Sequence, residues 1–147
     1  MGETPRNTTS TALTAVVVVG LAIDAFVHFH LASAFSANRT RWLSEPALFR
    51  VEAAASLVAA IALLVRRHRA TILFAFLLAA AGTVAVVFYR YVDLGAVGPF
   101  PNMYDPYWAP PEKALSAVAE ALAAVAAGAL LVTERRRSGR RPQHDRA

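Results

Sequence analysis

Residues 12–31, ALTAVVVVGLAIDAFVHFHL, decide the fold of this chain. The first part of this stretch, ALTAVVVVGLAI, contains no charged residue, and a helix needs about 20 mostly apolar residues to cross the hydrocarbon core of a membrane. Three further apolar stretches follow. The predicted membrane spans are at about residues 11–35, 46–65, 71–92 and 111–132. The sequence therefore predicts an all-α protein that folds as a four-helix transmembrane bundle.

The composition supports a membrane protein. Hydrophobic residues make up 56% of the chain and charged residues 17%, whereas soluble domains usually carry roughly 25% charge. Because much of the apolar content is alanine, an alanine-rich soluble bundle is the alternative, and the lengths of the apolar runs favour the membrane. The chain has no cysteine, which excludes disulfides, thiolate metal sites, thiol redox chemistry and covalent haem attachment.

The first apolar stretch could also be read as a secretory signal peptide. Arg6 would precede the apolar run, and Ala32-Ser33-Ala34 resembles a cleavage site. However, Asp24, His28 and His30 lie between the run and that site, where a signal has only a short and weakly polar stretch. We expect the stretch to be retained as the first span.

The arginines predict the orientation. The link between the second and third predicted spans holds three of them, and the C-terminal tail holds six. They are Arg66, Arg67, Arg69, Arg135, Arg136, Arg137, Arg140, Arg141 and Arg146. Basic residues beside spans stay on the cytoplasmic side, so we expect both termini in the cytoplasm of a multi-pass inner-membrane protein. The net charge of +5 then reflects topology and contact with membrane lipid, and no nucleic acid partner is expected.

The predicted organisation has three parts. Residues 1–10 form a cytoplasmic N-terminal segment, residues 11–134 the four-span membrane domain, and residues 135–147 a basic cytoplasmic tail. Inside the membrane domain, residues 46–65 align without gaps against residues 113–132, with shared Ala-Leu and Ala-Leu-Leu-Val positions. This similarity suggests two repeated helix hairpins, although alanine richness inflates such matches.

Ionisable residues gather in the predicted outer halves of the spans. An ionisable group within a membrane usually faces the bundle interior and a partner. We expect Asp24, His28, Glu52 and Glu120 to point inward, with Arg50 or Arg90 as the counter-charge. The predicted ligand-binding or proton-handling residues are Asp24, His28, Glu52, Tyr89, Arg90 and Glu120.

Several functions fit this polar group. It could be a structural cluster that holds helices together by hydrogen bonds. Asp24 and His28 at helical spacing, with Glu52 and Glu120, could instead bind a divalent metal such as zinc, manganese or iron. A proton or ion path is less supported because the predicted inner halves lack polar residues. A haem held by both His28 and His30 is disfavoured, because residues two apart on a helix point in different directions.

The loop DLGAVGPFPNMYDPYWAPPE, residues 93–112, follows the third span. Its aromatic residues suit the headgroup region of a membrane, so it could be an interface anchor. The functional alternative is a lid over the polar group, formed by Tyr104, Tyr107 and Trp108, with Trp42 as a counterpart in the first loop. Small residues at Ala119, Ala123 and Ala127 allow close helix approach, either inside the bundle or in a homodimer.

Residues 28–65, HFHLASAFSANRTRWLSEPALFRVEAAASLVAAIALLV, resemble the first hairpin of small DoxX-like membrane proteins. His28, Phe29, Phe35, Pro46 and Glu52 carry the similarity, which covers about a quarter of the chain, and the Gly-Lys pattern often seen in that group is missing. The resemblance implies a redox-associated or quinone-proximal membrane component. We therefore expect an accessory or ligand-binding protein whose pocket takes a lipophilic or quinone-like molecule. The alternatives are a metal-dependent or redox membrane enzyme, and a structural or assembly subunit that docks a partner membrane protein.

Overall fold

The computed structural model describes residues 5–138, and the side chains of residues 8–136. Four long helices follow one another: α1 (Pro5–Leu31), α2 (Glu45–Val65), α3 (Arg69–Tyr91) and α4 (Glu112–Ser138), with a short 3-10 turn (Ala32–Phe35) after α1. The described residues form no β-strand. The prediction of an all-α four-helix bundle is confirmed.

Local sequence signals explain where α2 and α3 begin. The Ser44 side chain accepts a hydrogen bond from the backbone N–H of Ala47, and Pro46 occupies the first turn of α2, where its missing N–H is tolerated. At the start of α3, the backbone N–H of His68 donates to the Thr71 hydroxyl at 3.1 Å. These caps satisfy backbone groups that helix ends leave without intrahelical partners.

Two helices extend beyond the predicted spans. α1 begins at Pro5 and so includes most of the predicted N-terminal segment, and α4 continues to Ser138, through the first arginines of the predicted tail. Alanine, leucine and arginine all favour helix, and no glycine or proline interrupts residues 129–137. Arg140, Arg141 and Arg146, predicted to lie in the tail, are outside the described residues.

All four helices are long and apolar enough to cross a membrane, over Thr8–Phe35, Glu45–Val65, Arg69–Tyr91 and Glu112–Arg136. Large apolar side chains cover the outside of the bundle; Val125, for example, is 73% exposed. Such a surface suits lipid and would be unusual on a soluble monomer. The fold is that of a multi-pass membrane protein.

The helices do not pack equally against one another. α1 packs extensively against α2 and α4, and α4 packs against α3, whereas α2 and α3 touch less despite the short link between them. We call the end that carries the connections 32–44 and 92–111 the loop end, and the opposite end, with the 66–68 link, the terminal end. The apolar core lies toward the terminal end and includes Val17, Leu63, Ile72 and Leu130.

Small residues allow α1 and α4 to approach closely. A Cβ atom added at Gly20 would lie 2.7 Å from the backbone oxygen of Ala119 and 3.0 Å from Cβ of Ala123. Ala119, Ala123 and Ala127 are all buried within the single chain. The predicted small-residue stripe therefore packs inside the bundle, and the homodimer stays a prediction.

Candidate functional site

Asp24 is the centre of a buried polar network. Its side chain is 1% exposed. One carboxylate oxygen, Oδ2, accepts a hydrogen bond from Ser56 of α2 at 2.6 Å, and the other, Oδ1, accepts one from Ser116 of α4 at 2.7 Å. Because Asp24 belongs to α1, a single carboxylate links three helices. Buried polar groups of this kind require such partners, since an unpaired one is strongly unfavourable in a membrane.

The same carboxylate orients a histidine. Nδ1 of His28 lies 2.7 Å from Oδ1 of Asp24, one helical turn away, and 3.2 Å from the Asp24 backbone oxygen. Both neighbours are acceptors, so Nδ1 carries the proton. The described residues provide no hydrogen-bond partner for Nε2. The ring of Phe49 packs edge-on against the imidazole at 5.1 Å, which further fixes the ring, and His28 lines the cavity described below.

Glu120 of α4 lies beside this pair with an unsatisfied oxygen. The residue is 2% exposed, and its Oε2 atom is buried without a hydrogen-bond partner. Gly82 of α3 makes room for it, because a Cβ at that position would lie 2.8 Å from Oε2. Ligand atoms of Asp24, His28 and Glu120 all lie within 4.8 Å of one another. The unpartnered Oε2 of Glu120 is a strong hydrogen-bond acceptor, or a donor if the carboxyl group is protonated.

A cavity of about 220 Å³ opens above this network toward the loop end. Its polar floor is formed by His28, Glu52 and Glu120, and its middle is apolar, with side chains from all four helices. The main apolar and aromatic lining residues are Val27, Leu31, Phe35, Leu48, Phe49 and Val86. An apolar pocket with a few convergent polar groups is the usual form of a small-molecule site.

Charged and aromatic side chains surround the mouth of the cavity. Arg90 of α3 stacks on Trp108, with its guanidinium 5.2 Å from the ring centroid, and its Nε atom is buried without a hydrogen-bond partner. Lys113 forms an ion pair with Asp105 and lies 4.9 Å from the centroid of Phe35. Glu45 also lines the mouth.

The two loops at this end are tied to each other and to the helices. The Asn38 amide donates both to the Glu45 carboxylate and to the backbone oxygen of Asn102, at 2.6 Å. The Thr40 hydroxyl donates to the backbone oxygen of Pro99 at 2.7 Å, and the backbone N–H of Asp105 donates to the backbone oxygen of Tyr89 at 3.1 Å. The second loop is thus held over the mouth of the cavity by specific bonds.

The structure brings most of the predicted site residues together. His28, Glu52, Tyr89, Arg90 and Glu120 line the cavity, and Asp24 lies beneath it. Of the predicted lid, Tyr107 and Trp108 line the cavity together with Met103 and Asp105, whereas Tyr104 does not.

Arg50 and Trp42, predicted as a counter-charge and as part of the lid, do not reach the cavity, and His30 lies outside it as its different direction on α1 predicts. Arg50 is exposed and is no counter-charge for the network, because it lies on the outer side of α2. His30 is exposed and stacks on Phe26. Trp42 is 68% exposed and pairs with Arg41 at 4.4 Å.

Sequence reasoning missed the residues that complete the site. Ser56 and Ser116 were not identified as partners of Asp24, although Ser56 is the polar residue of the otherwise apolar stretch 53–65. Lys113 and Asp105 were not identified as site residues either. Their pairing depends on how the second loop folds back, which local sequence does not indicate.

Comparisons with protein-family models, with curated proteins and with solved structures found no match. The resemblance to DoxX-like proteins stays a prediction, as does the internal repeat.

Proposed function

We propose that this protein binds a small lipophilic molecule with a polar head, such as a quinone, in the cavity at its loop end. In this proposal it is an accessory or ligand-binding membrane component. The observation that carries the proposal is the buried Oε2 of Glu120, which has no hydrogen-bond partner, in a residue that lines the same cavity as His28. A buried polar atom needs a partner, and a ligand head group would supply one. A quinone carbonyl would accept a hydrogen bond from the protonated carboxyl group, and a hydroxyl or amine would donate one to the carboxylate.

The shape and lining of the cavity support this choice of ligand. The polar groups lie at its floor, and the walls are aliphatic and aromatic, including Phe35, Phe49 and Val86. A molecule with one polar head and an apolar body would match this distribution. The sparse contact between α2 and α3 suits a ligand that arrives from the membrane.

The arginines support an orientation in which the cavity opens away from the cytoplasm. Arg66, Arg67 and Arg69 lie at the terminal end, as do Arg135 and Arg136. Arg67 donates to the Ser10 backbone oxygen and to the Thr14 hydroxyl, both at 3.2 Å, which anchors the link to α1. By the positive-inside rule this end faces the cytoplasm of an inner membrane, so the ligand would be taken up on the opposite side.

Tryptophan fluorescence tests the proposal directly. The chain has two tryptophans, so Trp42→Phe leaves Trp108, which lines the cavity, as the only reporter. We expect ubiquinone-1 to quench Trp108 saturably when this variant is reconstituted in phosphatidylcholine nanodiscs. His28→Leu in the same background should weaken binding about tenfold, which corresponds to roughly 1.4 kcal/mol, because it removes a polar group from the cavity floor.

The matched control is His30→Leu, the same substitution on the same helix at an exposed position. It should leave the affinity unchanged. Quenching that is linear in quinone concentration, or equally weakened by both substitutions, would contradict a binding site at the cavity floor.

A second function, a divalent metal site, is favoured by one observation. Asp24, His28 and Glu120 place ligand atoms within 4.8 Å of one another, and nitrogen and oxygen ligands suit zinc, manganese or iron. Against it, both oxygens of Asp24 already accept hydrogen bonds. A metal would therefore bind through Glu120 and Nε2 of His28, with Asp24 as the carboxylate that orients the histidine, and it could support a metal-dependent or redox enzyme.

Metal analysis of the purified protein distinguishes this second function. A metal site predicts one zinc, manganese or iron ion per chain by mass spectrometry after dialysis against metal-free buffer. His28→Leu should then lose the ion, while His30→Leu keeps it. Less than one ion in ten chains, even after reconstitution with excess metal, would exclude this function.

A further inference from the structure

The floor of the cavity and the network beneath it contain more acids than bases. Asp24, Glu52 and Glu120 provide three carboxyl groups, and His28 is the basic residue among them. Glu52 is near enough to interact electrostatically with Asp24 and His28, and with Glu120. Asp24 is compensated by His28 and the two serines, and Glu120 shares a side-chain hydrogen bond with Asp24, which leaves Oε2 of Glu120 without a partner.

No lysine or arginine of the described residues compensates the other two. The ion pairs found in residues 8–136 are His28 with Asp24 and Lys113 with Asp105. Arg90 faces the cavity from its mouth, where it stacks on Trp108. At the same level, Lys113 faces both Asp105 and Glu45.

Buried carboxylates in a low-dielectric setting need protons or a positive charge nearby. Resting on the proposed function, we propose that the ligand is a lipophilic organic cation, an amine whose ammonium group lies against Glu120 and Glu52. The ammonium supplies N–H donors to the unpartnered Oε2 of Glu120 and offsets the excess negative charge. An anionic head group would meet the same carboxylates and be repelled.

The walls of the cavity suit such a cation. Phe35, Phe49, Tyr89 and Trp108 line it, and aromatic faces attract ammonium groups. Rings of the cavity already lie near cations of the protein itself, since Lys113 lies near Phe35 at 4.9 Å and Arg90 near Trp108 at 5.2 Å. A single-ring arylalkylamine has the size for a cavity of about 220 Å³.

A metal ion fits this floor less well than an amine. Ser56 donates to Oδ2 of Asp24, and both Ser116 and His28 donate to Oδ1. The innermost carboxylate is therefore already committed. Only Glu52, Glu120 and Nε2 of His28 are left for a metal, in a cavity whose walls are mainly apolar.

Three probes of matched size test the charge of the ligand. In the Trp42→Phe protein, 4-phenylbutylamine, 4-phenylbutan-1-ol and 4-phenylbutyrate are titrated in phosphatidylcholine nanodiscs, and Trp108 emission is followed. Nanodiscs without protein correct for partition into lipid. We expect the amine to bind at least tenfold more tightly than the alcohol, and the carboxylate to bind most weakly.

Glu120→Gln should reduce the affinity for the amine about tenfold and leave that for the alcohol unchanged, because it keeps the shape and removes the charge. Glu134→Gln, the same substitution on α4 outside the cavity, is the control. Glu52→Gln, at a half-buried position, gives a second variant in case Glu120→Gln does not fold.

Zinc chloride is added as a competitor, and displacement of the amine at equimolar zinc would favour the metal site and overturn the proposal.

The outcomes separate the two proposals. If amine and alcohol bind equally, or if the carboxylate binds best, the cation inference is wrong while the ligand-binding function stands. An amine preference that persists in both Glu120→Gln and Glu52→Gln also overturns it. If none of the probes nor ubiquinone-1 changes Trp108 emission saturably, the proposed function itself fails, and the inference fails with it.

Discussion

Asp24→Ala is expected to lower the free energy of unfolding by about 3 kcal/mol, because removing one partner of a buried ionic network is strongly destabilising. The carboxylate is 1% exposed and accepts from Ser56, Ser116 and His28. The substitution leaves these donors without an acceptor and removes the link that joins α1 to α2 and α4. Unfolding by sodium dodecyl sulfate in mixed micelles, followed by tryptophan fluorescence, measures the change.

Removing a single serine donor should lower the free energy of unfolding less than removing Asp24 does. Ser56→Ala and Ser116→Ala each remove one hydrogen bond, and such bonds contribute roughly 0.6 kcal/mol on average within membranes. A serine that loses its acceptor can also bond to a backbone oxygen of its own helix. We expect each serine variant to lose about 1 kcal/mol or less, and the exposed control His30→Ala to be unchanged.

Burial of the Asp24 charge also has an unfavourable free energy, which opposes the stabilisation from its hydrogen bonds. A buried charge is itself unfavourable in a membrane, so a network replaced entirely by apolar groups can be as stable as the original. Asp24→Leu combined with Ser56→Ala, Ser116→Ala and His28→Leu should therefore recover most of the lost stability. If Asp24→Ala alone is as stable as the unchanged protein, the network does not hold the helices together.

The helices could be predicted from sequence because a membrane span is a local property. Each one is a run of about 20 apolar residues. Local residues mark where a run begins and ends, as Pro46 and the arginines of the 66–68 link do for α2. The extra turns of α1 and α4 were missed because polar residues such as Arg135 end a hydropathy run without ending a helix.

The inward-facing acids could also be predicted, but their partners could not. Asp24 and Glu120 were identified because an ionisable group in a span must face away from lipid. Which group meets it depends on the rotation and height of neighbouring helices. Arg50 and Arg90 look equivalent in sequence, yet Arg50 is exposed and Arg90 lines the cavity. Ser56 was overlooked because a serine in a span commonly bonds to its own helix.

Gly20→Ala is expected to destabilise the protein by about 2 kcal/mol, because overpacking a tight contact costs roughly 1–3 kcal/mol. The new Cβ would lie 2.7 Å from the backbone oxygen of Ala119. A backbone atom cannot rotate away as a side chain can, so α1 and α4 must separate. Gly20→Leu should have a larger effect, and the same detergent unfolding assay measures both.

Gly128→Ala provides the matched control on α4, because it makes the same glycine-to-alanine change without a close backbone contact. A Cβ there would lie 3.4 Å from Phe76, at the limit of ordinary contact and against a side chain that can adjust. Alanine favours helix over glycine by about 1 kcal/mol, so Gly128→Ala should be neutral or stabilising. The same gain applies at Gly20, and only the close approach of α1 to α4 can reverse it. Equal effects of the two substitutions would mean that α1 and α4 do not approach this closely at Gly20.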